Sequence, residues 1–212
     1  MINLIFAALL TSVSHAELLT LTPGGRQIEG VNVSAGGSVN LDGRNYSLST
    51  AGAGLRRSKV FGPVAVRVYV GQILVADPGR FVKTPDGALP SIDHQLSLVM
   101  HLTFLRDIPS RRIVESFLDS LAANSISDKD ADVEKFVRMV QGAGDMTDKS
   151  SITMFVTKNS NGTETLAFDV KSDKNYFDRQ VVAAGFSRKM ASLWLGVPAD
   201  DGLANFKTEL LQ

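Results

Sequence analysis

The sequence predicts an α+β fold in which strands come first and most of the helices follow late in the chain. In the first half, apolar residues alternate with polar ones between glycine-rich turns, a pattern typical of antiparallel strands and hairpins. After residue 107, three segments instead carry apolar residues at helical spacing. Because strands and helices are grouped and do not alternate, a large antiparallel sheet with helices against it is favoured over a parallel α/β sheet.

Composition narrows the possible functions. The chain has 212 residues, of which 44% are hydrophobic, and this is enough for one globular domain with a sizeable core. Its 22 basic and 22 acidic residues cancel, so we expect no nucleic-acid partner. It contains no cysteine, which excludes disulfides, thiolate metal sites and a cysteine nucleophile.

The amino-terminal segment, residues 1–16, has the pattern of an export signal. It contains no Asp, Glu, Lys or Arg, is apolar over 4–10, and ends with Ser14 and Ala16 at the small-residue positions that a signal peptidase requires. We therefore expect a cleaved signal peptide and a single mature domain of 17–212, exported to the periplasm or secreted. The alternative is a buried N-terminal strand or helix. No segment is long and apolar enough to predict a transmembrane helix.

The first predicted unit of the mature domain is a β-hairpin. Val39 and Leu41 precede an Asp-Gly pair at 42–43, and Tyr46 and Leu48 follow it. An Asp-Gly pair between alternating apolar residues is a strong hairpin signal, because both positions of a tight hairpin turn favour positive φ.

A glycine-rich turn is predicted next, at 52–54, and it brings Arg56 to the start of another strand. In that strand Val64 to Val70 alternate at every second position, so Arg67 and Tyr69 are expected on the opposite side. An arginine and a tyrosine next to an apolar sheet indicate a site for an anionic headgroup.

The remaining elements follow from the same periodicities. They are a strand over 94–104, a helix that begins near Pro109, a helix over 130–141 closed by Gly142, a hairpin formed by 152–157 and 163–170, and a final helix from Phe177 to Gly196. Met190 and Trp194 form a stripe on that final helix, and we expect this stripe to belong to the core.

These motifs resemble the chalcone isomerase family, in particular its bacterial chalcone isomerase-like branch. The branch carries a similar Gly-x-Gly-x-Arg segment followed by a Val-Tyr-Val-Gly strand, here within 52–71, and the later motifs at 144–145 and 194–198 occur in the family's order. The resemblance implies an open-faced β-sandwich, in which a large antiparallel sheet and a layer of helices enclose a ligand cleft. It also implies that Arg56 faces this cleft.

The resemblance covers both enzymes and binding proteins, and the residues favour a binding protein. The family's enzymes use a threonine, a tyrosine and an asparagine, but the corresponding positions here are Val68 or Tyr69, Pro109 and Ser116. Binding proteins of this fold use an arginine and a tyrosine to hold a fatty-acid carboxylate, which Arg56 and Tyr69 match. We therefore expect a non-catalytic binder of a fatty acid or similar amphipathic carboxylate. The alternative is an intramolecular lyase or isomerase that acts on a phenolic, chalcone-like or other enone substrate, with Arg56 as its catalytic group.

Several possibilities stay open at the arginine. A carboxylate would pair with Arg56 through two hydrogen bonds, and Tyr69 would add a third. Arg56 could instead pair with an acid such as Asp145 and only hold the turn. Arg57 is the other candidate for the inward position, because a slip of one residue reverses the face of a strand. A structural role in the cell envelope is a third possible function.

No cofactor or metal is expected. His94 and His101 are seven residues apart on one predicted strand and therefore on opposite faces, whereas zinc needs three or four converging ligands. The glycines at 52–54 lack the third glycine and the following helix of a dinucleotide site. No serine has a histidine that the sequence places beside it. The oligomeric state is not determined by any of these patterns.

Overall fold

The computed structural model describes residues 17–59 and 64–212 of the chain. The predicted export signal at 1–16 lies outside the described residues. Within the described ranges, no helix combines the length and the apolar character needed to cross a membrane.

In the described part of the chain, eight strands form one antiparallel sheet in which every strand pairs with the next. The strands are β1 (Leu19–Ile28), β2 (Val31–Leu41), β3 (Arg44–Ser58), β4 (Val66–Val75), β5 (Ser97–Phe104), β6 (Ser151–Lys158), β7 (Glu164–Lys171) and β8 (Tyr176–Val182). The predicted hairpin at 42–43 is confirmed: Asp42 and Gly43 both have positive φ, 53° and 73°, as a tight hairpin turn requires.

Helices cover one face of this sheet. They are α1 (Ala88–Ser91), α2 (Ser110–Ala123), α3 (Ala131–Ala143), α4 (Phe186–Leu195) and α5 (Asp201–Leu210), with two short 3₁₀ turns at Pro78–Arg80 and Ile92–His94. The main core lies between the helices and the sheet, where β5 supplies Leu98, Met100 and Leu102. Met190 and Trp194 are also buried there, which confirms their place in the core.

The N-terminal strands curl over the other face of the sheet and form a second, smaller core. In it, Leu48 of β3 packs with Val99 of β5 and Phe155 of β6. The ring of Tyr46 lies 5.0 Å from that of Phe155, although β3 and β6 are separated by two strands. The first part of β3 packs in this smaller core, and its second part packs against α5. A register shift near Ala51 marks where the strand bends between the two. The α+β open-faced β-sandwich is therefore confirmed.

The predicted glycine turn at 52–54 is wrong, because these residues lie inside β3. Neither Gly52 nor Gly54 has positive φ. A Cβ on Gly52 would lie 1.7 Å from the carbonyl oxygen of Leu210, and a Cβ on Gly54 would lie 2.9 Å from the Cβ of Glu209. The glycines thus allow α5 to lie directly on the strand, and a turn is not what they provide.

The alternation predicted for Val64 to Val70 is also only partly right. The strand begins at Val66, and Val64 is exposed. The register pairs Arg56 with Tyr69 but Arg57 with Arg67, so Val68 is the extra residue of a β-bulge. Arg67 is exposed and pairs with Glu29, while Tyr69 faces the helix layer. The two residues do not share one side of the strand.

The C-terminal part departs most from the prediction. The segment predicted to start the final helix forms the edge strand β8, and the helix α4 begins only at Phe186. The helix α5 was not predicted at all. The predicted C-cap at Gly142 is wrong as well: this residue lies within α3, and Gly144, with φ of 75°, follows the helix. The predicted strand at 94–104 begins at Ser97.

Candidate functional site

A cleft of about 480 Å³ opens between the sheet and the helices α2 and α5. Its walls combine apolar side chains with a few charged ones. The apolar group is Val68, Leu102, Phe104, Ile108, Ile113, Phe117 and Leu203, and the charged group is Arg56, Arg112, Glu115, Asp119 and Asp200. Tyr69, Pro109 and Ser116, which the sequence singled out, also line it.

Arg56 and Tyr69 lie side by side at this cleft, because they are register partners on β3 and β4. The side chain of Arg56 is only 6% exposed. It donates from Nη2 to Oδ2 of Asp200 at 2.6 Å and from Nη1 to the backbone carbonyl of Arg57. A positive charge is therefore held at one fixed place in a largely apolar wall.

The Tyr69 hydroxyl is held by Trp194 and lies close to Arg56. Its oxygen accepts a hydrogen bond from Nε1 of Trp194 at 3.0 Å, and Arg56 is the register partner of Tyr69 on the neighbouring strand. Burial raises the pKa of Tyr69 to about 12, against the opposing effect of the Arg56 charge. The hydroxyl stays protonated at neutral pH, and because its oxygen already accepts from Trp194, its own O–H can donate to a further partner.

Asp200 is the carboxylate that pairs with Arg56, and it was missed by the sequence analysis. It is the N-cap of α5: its Oδ1 accepts from the backbone N–H of Leu203 at 2.8 Å, while Oδ2 faces Arg56. Its side chain is 48% exposed, in contrast to the buried guanidinium. The first turn of α5 passes so close that a Cβ on Gly202 would lie 1.9 Å from Nη1 of Arg56.

An aromatic cluster packs against Phe117, which lines the cleft. Phe117 of α2 stacks on Phe136 of α3, with ring centroids 5.6 Å apart, and meets Trp194 of α4 edge-on at 5.6 Å. Trp194 is the same residue that donates to Tyr69. Packing among the helices therefore fixes the position of Trp194 and, through its hydrogen bond, the orientation of the Tyr69 hydroxyl.

The outer rim of the cleft carries charged side chains of both signs. Arg112 pairs with Glu115 at 3.0 Å on the exposed side of α2, and both residues are about half exposed. Asp119 contributes a further acid to the lining. Exposed ion pairs of this kind contribute little free energy. The rim is therefore polar, and the buried charge of Arg56 is the one that distinguishes the cleft.

The structure resolves the alternatives left open at the arginine. Arg56 faces inward, whereas the Arg57 side chain is 44% exposed and pairs with Glu209 at 3.0 Å. The suggested partner Asp145 is wrong, because it accepts a hydrogen bond from the backbone N–H of Ser110. Arg56 pairs with Asp200 instead.

The two histidines considered for a metal are far from forming a site. His94 lies in a 3₁₀ turn and not in the strand, and His101 is buried on the far face of β5, where its Nδ1 lies 3.0 Å from Oγ1 of Thr153. Across residues 17–59 and 64–212, no group of three or more His, Asp or Glu side chains is arranged to hold a metal ion.

Comparisons with known proteins agree with this architecture. No protein-family model matches the chain, and no curated protein matches it by sequence. Among solved structures, the crystal structure of a fatty-acid binding protein from Arabidopsis thaliana superimposes with a TM-score of 0.56. The sequences are 14% identical, and the match covers 82% of this chain and 95% of that one. At this identity the match establishes the fold, so the chain has the chalcone isomerase-like fold that its motifs predicted.

Proposed function

We propose that this protein binds a fatty acid or a similar amphipathic carboxylate in the cleft between the sheet and the helices α2 and α5. One observation carries the proposal: a buried arginine and a buried tyrosine hydroxyl, Arg56 and Tyr69, lie next to each other at the head of an apolar cleft. As predicted from the sequence, we further propose that the protein is exported.

The headgroup chemistry follows from these two side chains. A guanidinium in a protein keeps its charge, and a carboxylate is the ligand group that matches its planar N–H donors best. The O–H of Tyr69 would donate a further hydrogen bond to the same headgroup.

The rest of the cleft suits an apolar tail. Side chains from β4, β5, α2 and α5 give it walls that are mostly hydrocarbon. Its volume of about 480 Å³ is within the common range for small-molecule sites. The fatty-acid binding protein with the same fold supports the choice of an acyl chain over other apolar groups.

The arginine pair in the sequence provides a matched test of this proposal. Titration of the purified protein with dodecanoate should give saturable binding, and Arg56→Gln should weaken it at least about tenfold, because a charge-assisted hydrogen bond is lost. Arg57→Gln is the control, since Arg57 is exposed and pairs with Glu209. Equal affinities for all three proteins, with circular dichroism unchanged, would reject the headgroup assignment.

An intramolecular lyase acting on an enone is the second candidate. It is favoured by the same donors, since a guanidinium and a phenol O–H could stabilise an oxyanion that develops on a substrate. Chalcone cyclisation that exceeds the uncatalysed rate and is lost in Arg56→Gln would support the enzyme. A rate equal to that of buffer would reject it.

A further inference from the structure

The acid that pairs with Arg56 suggests how the site distinguishes carboxylates from other headgroups. Two protein acceptors already pair with the guanidinium, namely Oδ2 of Asp200 and the carbonyl oxygen of Arg57. A ligand carboxylate that paired with Arg56 would have to share the guanidinium charge with the Asp200 carboxylate and would be repelled by it.

Only one of these two acceptors can move away. The Arg57 carbonyl is part of the backbone of β3. Asp200 lies at the end of an exposed segment over 197–200, and nearly half of its side chain is in contact with solvent. Its carboxylate can therefore turn outward and be hydrated there, at the cost of its hydrogen bond from the N–H of Leu203, whereas the buried guanidinium cannot.

The inference rests on the proposed function and extends it. We propose that Asp200 is a displaceable internal counter-ion of Arg56, which a ligand carboxylate replaces on binding and which thereby sets the affinity and specificity of the cleft. A headgroup without negative charge cannot neutralise the Arg56 guanidinium once Asp200 has moved away. Only an anion gains by the exchange, and the site thus selects acids over alcohols and esters with the same chain.

The geometry at the helix supports this exchange. The ligand carboxylate would come to lie where the Asp200 carboxylate lies now, at the N-terminus of α5, and the positive end of the helix dipole favours an anion at that place. An anion would thus be present beside Arg56 both before and after the exchange.

Two substitutions and two probes test the proposal. Asp200→Asn removes the competing charge but keeps an oxygen that can cap α5, and Asn is among the preferred N-cap residues. Asp201→Asn removes the same charge from the next residue, which is exposed and does not line the cleft. The probes are dodecanoate and dodecanol, measured by titration calorimetry, with the melting temperature of each protein as the check on folding.

We expect Asp200→Asn to bind dodecanoate about tenfold more tightly than the unmodified protein, because one charged hydrogen bond no longer has to be broken. Asp201→Asn should bind dodecanoate as the unmodified protein does, and no substitution should improve binding of dodecanol. Unchanged or weaker dodecanoate binding by folded Asp200→Asn, while the unmodified protein binds it, would overturn the counter-ion role and leave the proposed function intact. If no folded protein of the set binds dodecanoate, the proposed function itself fails, and the counter-ion role fails with it.

Discussion

At the scale of single residues, the headgroup site could be predicted only in part. Arg56 and Tyr69 were identified from adjacent motifs, and the pairing of β3 with β4 brings them together. Asp200 could not be assigned in the same way, because it lies 144 positions after Arg56 and meets it only through tertiary packing. The link from Trp194 to Tyr69 spans 125 positions and was missed for the same reason.

A second buried polar residue, His101, gives a prediction about pH. Burial lowers its pKa to about 4, so the folded protein holds the neutral imidazole. The unfolded chain takes up the proton near the ordinary value of about 6.5. The contribution of His101 to the free energy of unfolding is therefore fully present above a pH of about 6.5. It decreases by about 3 kcal/mol as the pH is lowered to about 4.

Denaturant unfolding at a series of pH values measures this effect. The unmodified protein should lose more stability between pH 6.5 and 4 than His101→Gln does, because the carboxyl groups contribute to both proteins equally. His94→Gln is the control, since His94 is exposed at the end of a 3₁₀ turn. Parallel stability curves for the unmodified protein and His101→Gln would show that His101 does not titrate in this way.

At the scale of elements, the prediction failed where one pattern allowed two structures. Phe177 and Val181 are four residues apart, which suits a helix, but the segment pairs with β7 as a strand. The helix α5 did leave a signal: Leu203, Phe206 and Leu210 have helical spacing, and Asp200 precedes them as an N-cap. The glycines of β3 were misread because close packing and tight turns both select glycine.

The packing of α5 on β3 gives a prediction for Gly52. A methyl group there would meet the Leu210 carbonyl, which belongs to the helix backbone and cannot rotate away. Gly52→Ala should therefore push α5 off the strand and destabilise the fold by about 2–4 kcal/mol. Gly79→Ala is the control, because a Cβ there would come no closer than 3.3 Å, to the Asp77 side chain.

Thermal unfolding of the two variants provides the measurement. A clear loss of melting temperature in Gly52→Ala, with Gly79→Ala close to the unmodified protein, is the expected result. If Gly52→Ala melts at the temperature of the unmodified protein, then α5 does not need the glycine for its close approach.

At the scale of the whole molecule, the sequence was sufficient for the architecture because its signals were redundant. Alternation in the strands, the Asp42-Gly43 turn and the segregation of helices all predicted an antiparallel sheet under a helix layer, so single errors did not change the result. The curling of the N-terminal strands over the far face came only from the structure, since it depends on the bend in β3 and on contacts such as Tyr46 with Phe155.

The central claim is that the cleft holds an amphipathic carboxylate against Arg56. The most direct measurement is mass spectrometry of the small molecules released when the protein, purified without detergent, is denatured, with Arg56→Gln treated in parallel. We expect a near-stoichiometric fatty acid or similar carboxylate from the unmodified protein and a strongly reduced amount from Arg56→Gln. Release of no such acid from the unmodified protein, or of equal amounts from both, would contradict the claim.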